Sequence, residues 1–223
     1  MNFIHNKFVA ILRELIVPQL YFIFKDNNKR RFVFNNHSLR YLCHPYNRTW
    51  VNERIVEVPI ALHYLKTHKG KRILEVGNVL KHYTNSEHDV LDKYEIEPGV
   101  INEDVVDFKP KQKYDLILCV STLEHVGWDE KPKKINKSIE AVKLLKKLLA
   151  NKGMLVITIP IGYNPVIDNY VFKNKFHFTK EYFLNRISRR NYWKEISKDQ
   201  IQNKKYSSII MHANTLFIGT YYK

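Results

Sequence analysis

The sequence predicts an α/β fold: a mostly parallel sheet covered on both faces, an antiparallel strand pair near the C terminus, and an N-terminal arm of a helix and a hairpin. Three observations carry this expectation. Tyr114 to Val120 and Met154 to Pro160 are continuous apolar runs, the pattern of strands buried on both faces. Between them, Lys133 to Leu149 sets Ile135, Ile139, Val142, Leu145, Leu148 and Leu149 on one helical face. Upstream, Arg72 to Val76 ends at Gly77, and the run from His88 to Tyr94 ends at Asp92, so short strands alternate with connections.

Composition sets the outer bounds. The chain has 223 residues, of which 44% are hydrophobic and 13% aromatic, with only 7 Gly and 8 Pro, which excludes a disordered or collagen-like chain. The length fits one large domain with an added arm, here residues 1–68 as arm and capping helix on a domain of residues 69–223. Two cysteines, Cys43 and Cys119, cannot build a disulfide framework and lack zinc-ligand spacing, so a reducing, cytoplasmic setting is the default expectation.

In order along the chain, the apolar stretch Phe8 to Phe24 is interrupted by Arg13, Glu14, Pro18 and Gln19, too soon for a transmembrane helix, and no small-residue cleavage site comes after it. It reads as a short helix ending near Pro18 that docks on the domain, or alternatively lies on a membrane surface or a partner. Tyr21 to Phe24 and Arg31 to Phe34 flank Asp26-Asn27-Asn28, the pattern of a hairpin. Asn52 to Lys66 has helical spacing, with Pro59 expected to begin a second helix. Glu75 and Asp92 are close enough that only a short helix fits between the first two strands. The gap from Tyr94 to Val100 is too small for a parallel crossover, so the helix after the second strand is expected to be missing and Val100 to Val105 to form a loose edge strand or a loop. Asn151-Lys152-Gly153 stops the long helix, and Tyr192 to Ser197 with Thr215 to Tyr222 form the antiparallel pair.

The net charge of +15 is unevenly placed: residues 73–130 carry −8, and the two flanks carry +9 and +14. Basic flanks suit a polyanionic partner. The competing reading is a solvated helix face, since most of Lys131, Lys133, Lys134, Lys137, Lys143, Lys146, Lys147 and Lys152 fall at wet-face spacings.

A parallel sheet binds ligands at the carboxyl ends of its strands, where strand order reverses. Those ends hold Glu75, Gly77 and Asn78, then Asp92, then Glu103, Asp104 and Val105, then Ser121, Glu124 and His125. A glycine lets backbone approach a ligand, an acid closing the second strand can accept both hydroxyls of a ribose, and a further acid can accept from an adenine amino group.

In this order the motifs resemble those of class I S-adenosylmethionine-dependent methyltransferases. Arg72-Ile-Leu-Glu-Val-Gly-Asn78 is similar to their first motif, Val90-Leu-Asp92 to the ribose-binding strand end, and Glu103-Asp104-Val105 to the position beside adenine. Tyr114 to Val126 is similar to their fourth strand with its Leu-Glu-His turn, and Lys152 to Pro160 to the next strand. Val79 stands where the family usually has a second glycine. The resemblance implies a Rossmann-like sheet, S-adenosyl-L-methionine as cofactor, and Glu75, Gly77, Asn78, Asp92, Asp104, Val105 and Ser121 as its contacts. His125 is a candidate general base, because histidine titrates near neutrality, and Glu124 a second catalytic candidate; the alternative for both is structural. Tyr46, Arg48 and Arg54, from the donor-rich segment His44 to Arg54, and Tyr163 and Asn164 after the last parallel strand, are candidates for lid and substrate contacts, against turn and capping roles. His82, Glu87 and His88 are too irregularly spaced for a metal site and read as a solvated loop. The competing function is a degenerate methyltransferase fold that binds an anionic partner without turnover. The acceptor stays open among small molecules, saccharides and nucleic acid.

Overall fold

The computed structural model describes residues 15–201, 205–207 and 212–223. Its centre is one sheet with strand order β5-β4-β3-β6-β7-β12-β8-β9. Here β3 is Ile73–Val76, β4 Asp89–Leu91, β5 Val100–Ile101, β6 Tyr114–Val120, β7 Leu149–Pro160, β8 Lys180–Arg186, β9 Trp193–Ile196 and β12 Thr215–Tyr222. The first five are mutually parallel, and β12, β8 and β9 add on antiparallel pairings. Between β9 and β12, the short strands β10 (Tyr206–Ser207) and β11 (His212–Ala213) pair with each other outside the main sheet. The architecture is the Rossmann-like α/β sheet expected from the sequence. The chain winds outward from β3 through β4 to β5 and then returns to the other side of β3 for β6, so the order reverses between β3 and β6.

Period two along the central strands divides the core. Leu116, Leu118 and Val120 of β6 face one side with Met154 and Val156 of β7, while Ile117 and Cys119 face the other with Leu155, Ile157 and Ile159. Helix α3, Lys137–Leu148, covers the second side through Ile139, Val142, Leu145 and Leu148. The first side is covered by the N-terminal part of the chain: residues 15–24 (α1), the hairpin β1 (Arg31–Phe34) and β2 (His37–Arg40), and helix α2 (Arg54–Thr67). Val17 and Phe24 bury α1 against this core, and Trp50 Nε1 donates to the Val17 carbonyl at 3.1 Å. The docking reading of α1 therefore fits, although residues 8–14 of that stretch lie outside the described residues. Among the described residues no helix is long and apolar enough to cross a membrane.

Several boundaries differ from expectation for local reasons. Helix α1 passes through Pro18 to residue 24 and continues as a 3-10 turn, Lys25–Lys29, so Tyr21 to Phe24 is not a strand. The hairpin instead turns at Asn35-Asn36, both with positive φ (46° and 63°), which suits the right-handed twist of a two-residue hairpin. Pro59 lies inside a single helix α2 and does not begin a second one. The carbonyl of Ile55, four residues earlier, would be left unpaired by a proline; Leu42 N–H donates to it at 3.0 Å. Helix α3 starts at Lys137, which leaves Ile135 exposed ahead of it. The two strands expected to pair with each other are separated by β8, which pairs with both. As expected, no helix comes after β4, and β5 is a two-residue edge strand.

Candidate active site

A cleft of about 1100 Å³ opens at the carboxyl ends of β3, β4, β5 and β6, at the reversal of strand order. Gly77 turns the chain out of β3 with φ +85°, and a Cβ there would stand 2.2 Å from Thr122 Oγ1. The turns after β3 and β6 thus touch, and only glycine fits between them. Glu75 is fully buried beneath this turn and does not line the cleft. Its Oε1 accepts from Val79 N (2.7 Å) and Leu80 N (2.5 Å), and its Oε2 meets His88 Nε2 at 2.7 Å. Glu75 therefore positions the loop. His88, expected in a solvated loop, has a side chain only 1% exposed because it closes this pair. Val79 packs into the first core and gives its N–H to Glu75, which explains why the position is not a glycine here. The loop then closes in a single 3-10 turn, Leu80–His82.

Asp92 organises the next edge. Its Oδ2 accepts from Asn78 N (3.1 Å), and its Oδ1 accepts from Tyr94 N and Glu95 N (2.8 and 2.9 Å). A carboxylate offers about four acceptor positions, so capacity remains toward the cleft. Asn78 Nδ2 donates to Glu95 Oε1, while its Oδ1 is buried without a partner. Asp104 and Val105 also line the cleft, but Asp104 is already engaged. Lys93 Nζ lies 2.9 Å from its Oδ2, Lys137 Nζ bonds the same oxygen, and Glu130 accepts from both lysines. Burial pushes the Asp104 carboxyl up, yet the two ammonium groups outweigh it and hold the group below its ordinary value. One expectation changes accordingly: Lys137 is a buried ion-pair residue and no part of a wet face. Asp104 lines the cleft as expected while its Oδ2 braces the strand end, with exposed Glu103 beside it.

Beside the cleft lies a second cavity of about 560 Å³, and Tyr46, Asn47, Arg54, Ser121 and His125 line both. Two of these shared residues, Ser121 and Arg54, are held from behind by Glu57, a residue no sequence motif singles out. Both Ser121 Oγ and Thr158 Oγ1 donate to Glu57 Oε1, and Arg54 Nη1 stands 3.1 Å from Oε2. Ser121, at φ +39°, is held in its turn by this bond. Arg54 also donates to the Val120 carbonyl at 3.3 Å. Glu53 and Glu124 line the second cavity as well. Burial, reinforced by the charge of Glu57, pushes Glu53 up to about 7. Burial also raises Glu124 well above the usual carboxylate range, and its Oε2 has no partner.

His125 Nδ1 meets Asp129 Oδ2 at 2.6 Å, and the hydroxyl of Tyr163 donates to the same oxygen at 2.8 Å. An ionised carboxylate only accepts, so Nδ1 carries a proton, and in the neutral ring Nε2 is then the acceptor, 3.7 Å from Glu124 Oε1. Tyr163 stands edge-on to the imidazole, with ring centroids 4.6 Å apart. The structure thus joins His125, Glu124 and Tyr163 and adds Asp129, whose only sequence signal is its place four residues after His125. Tyr46 stacks on His82 at 3.9 Å, and Arg48, with φ +48°, lines the second cavity. Asn164 belongs to the capping alternative: its Oδ1 accepts from Val166 N and Ile167 N at the start of α4 (Pro165–Phe172), and its Nδ2 donates to the Glu124 carbonyl.

No protein-family model and no curated protein sequence matches the chain. Solved structures do match. The N-methyltransferase NodS of Bradyrhizobium japonicum is 13% identical with a TM-score of 0.48, covering 77% of this chain and 88% of that one. A SAM-dependent methyltransferase of Archaeoglobus fulgidus is 15% identical with a TM-score of 0.49, covering 80% and 98%. In fold, the chain resembles S-adenosylmethionine-dependent methyltransferases. The 1,6-didemethyltoxoflavin-N1-methyltransferase of Burkholderia thailandensis, 12% identical with a TM-score of 0.46, covers 87% and 99%. At such identities the likeness concerns the fold alone.

Proposed function

We propose that the protein is an S-adenosylmethionine-dependent methyltransferase (EC 2.1.1.-) acting in the cytoplasm, where its two free, buried cysteines stay reduced. The observation that carries the reading is the cleft at the sheet's reversal point, which gathers Gly77, Asn78, Asp92, Val105 and Ser121 from four strand ends. The fit to the cofactor rests on two features of that cleft beside the Gly77 turn: a carboxylate with spare acceptor capacity at Asp92, and an orphaned acceptor at Asn78 Oδ1. Asp92 would hold ribose hydroxyls, Asn78 and the Gly77 turn the adjoining part, and Val105 with Glu103 the base. When bound, the sulfonium supplies a methyl group that a nucleophile takes in line while the carbon–sulfur electron pair returns to sulfur. The chain's own work is to hold the acceptor in the second cavity and to take its proton at His125 Nε2, with Asp129 fixing the ring.

Calorimetry with S-adenosylhomocysteine tests the cleft. Binding is expected in the wild type and is lost in Gly77→Ala, whose Cβ would strike Thr122 at a φ that alanine avoids. Absence of heat with both the cofactor and its demethylated product sinks the proposal. The acceptor class is then found by transferring labelled methyl to a cell extract fractionated into nucleic acid, protein, glycan and lipid, and small molecules. In that assay His125→Asn is expected to lower incorporation by roughly 10²- to 10⁴-fold; unchanged incorporation would remove His125 from the mechanism.

A further inference from the structure

The second cavity adjoins the proposed cofactor cleft through His125, Ser121 and Arg54. Two carboxyl side chains reach it from opposite parts of the chain: Glu53 at the start of α2, 6% exposed, and Glu124 after β6, 1% exposed. Glu53 Oε2 accepts from Ala213 N at 2.9 Å, whereas Glu124 Oε2 is buried with no partner. A buried polar atom left unpaired is costly, and Glu124 lines this cavity, so a ligand that donates to its carboxyl would relieve that cost. Of the arginines at the cavity, Arg54 is paired with Glu57, and Arg48, which also has a partner, lines the wall beside Tyr46 and Asn47. Tyr163 and Tyr206, with ring centroids 5.2 Å apart, add aromatic faces.

We infer that this cavity recognises an amine acceptor, with Glu124 and Glu53 as the counter-ions of its ammonium form and Tyr163 and Tyr206 as its aromatic wall. The inference rests on the methyltransferase reading of the neighbouring cleft. A carboxylate ligand meets two acids here, and an alcohol brings one donor for two carboxyls. An ammonium brings three donors and a charge that aromatic faces attract. The nitrogen gains its nucleophilic lone pair by losing one proton to His125 Nε2, 3.7 Å from Glu124 Oε1, and the half-exposed ring passes that proton to solvent. Because burial raises the proton affinity of both acids, an entering cation expels their protons, and amine affinity rises with pH through neutrality. Glu57, Arg54 and Arg186 act on Glu53; Glu57, Arg54 and Glu53 itself act on Glu124; and Tyr163, Tyr206, His125 and Arg48 complete the titratable and charged surroundings.

The test titrates the full-length protein with benzylamine, benzyl alcohol and benzoate by calorimetry, and separately with S-adenosylhomocysteine. Benzylamine is expected to bind at least about tenfold more tightly than the other two at pH 8, and Glu124→Gln to weaken it by about tenfold or more with no change in S-adenosylhomocysteine affinity. Glu53→Gln serves as the second variant and is expected to act in the same direction. Failure of benzylamine to bind, equal or tighter binding of benzoate or benzyl alcohol, or amine affinity unchanged in both variants overturns the inference. Failure of S-adenosylhomocysteine alone overturns the methyltransferase reading and leaves amine recognition standing.

Discussion

Replacing Glu57 with alanine is expected to lower the unfolding free energy by roughly 3 to 5 kcal/mol, because it strands a buried cation and two hydroxyl groups together. Glu57 is fully buried on α2 where that helix crosses β6, and its carboxylate is the shared acceptor for Ser121 and Thr158 and the counter-ion of Arg54. The Arg54 side chain is only 15% exposed, so water cannot replace the lost partner. Ser121, freed from its left-handed turn, no longer presses Thr122 against Gly77, so affinity for the cleft's ligand should fall along with stability. Urea denaturation gives the measurement: the midpoint drops sharply in Glu57→Ala. The double variant Arg54→Met/Glu57→Leu recovers only the part of the loss that comes from the stranded cation, since the hydroxyls of Ser121 and Thr158 still lack their acceptor. A Glu57→Ala midpoint equal to the wild type's would show that the carboxylate carries no such load.

Glu57 also marks the point where sequence patterns stop being informative. β6 is legible to its last residue because a strand buried on both faces must be apolar throughout, and Gly77, Asp92 and Ser121 are legible because strand ends have a fixed role in this topology. Glu57 is not legible, since its partners Ser121 and Thr158 lie 64 and 101 residues away. Lys137 stands at a wet-face spacing, and only the fold reveals Asp104 and Glu130 above it. β8 leaves little trace because it is half polar, Lys-Glu-Tyr-Phe-Leu-Asn-Arg, and only Phe183 and Leu184 are fully buried, one toward each core. The hairpin's place is ambiguous because two turn-forming Asn clusters stand close together, and the second alone leaves alternating Phe32 and Phe34 facing inward. Pro59 escapes the helix rule because a backbone donor from Leu42 meets the carbonyl it orphans.

Glu53 makes stability fall as pH rises toward neutrality, and Glu53→Gln is expected to remove that fall. The group's ordinary value is 4.5 and burial lifts it to about 7, so between those values the folded protein keeps a proton that the unfolded chain has released. The folded state binding more protons means that unfolding becomes easier with each step up in pH. The contribution is fully present below 4.5 and is lost as pH passes 7, at a cost on the order of 3 kcal/mol. Glu124 acts in the same direction. His212 opposes both over part of the range: burial and the charge of Arg186 lower it from 6.5 to about 4, so the unfolded chain binds the extra proton there and stability rises with pH until about 6.5. His212 thus cancels part of the fall that Glu53 and Glu124 produce below about 6.5 and none of it above, which is why the informative quantity is the difference between variant and wild type. Denaturation midpoints at pH 5, 6, 7 and 8 should show Glu53→Gln gaining on the wild type step by step, since glutamine keeps an acceptor for Ala213 N–H without carrying a charge. Parallel profiles would mean that water reaches Glu53 and that the second cavity is not the dry, acid-lined chamber on which amine recognition depends.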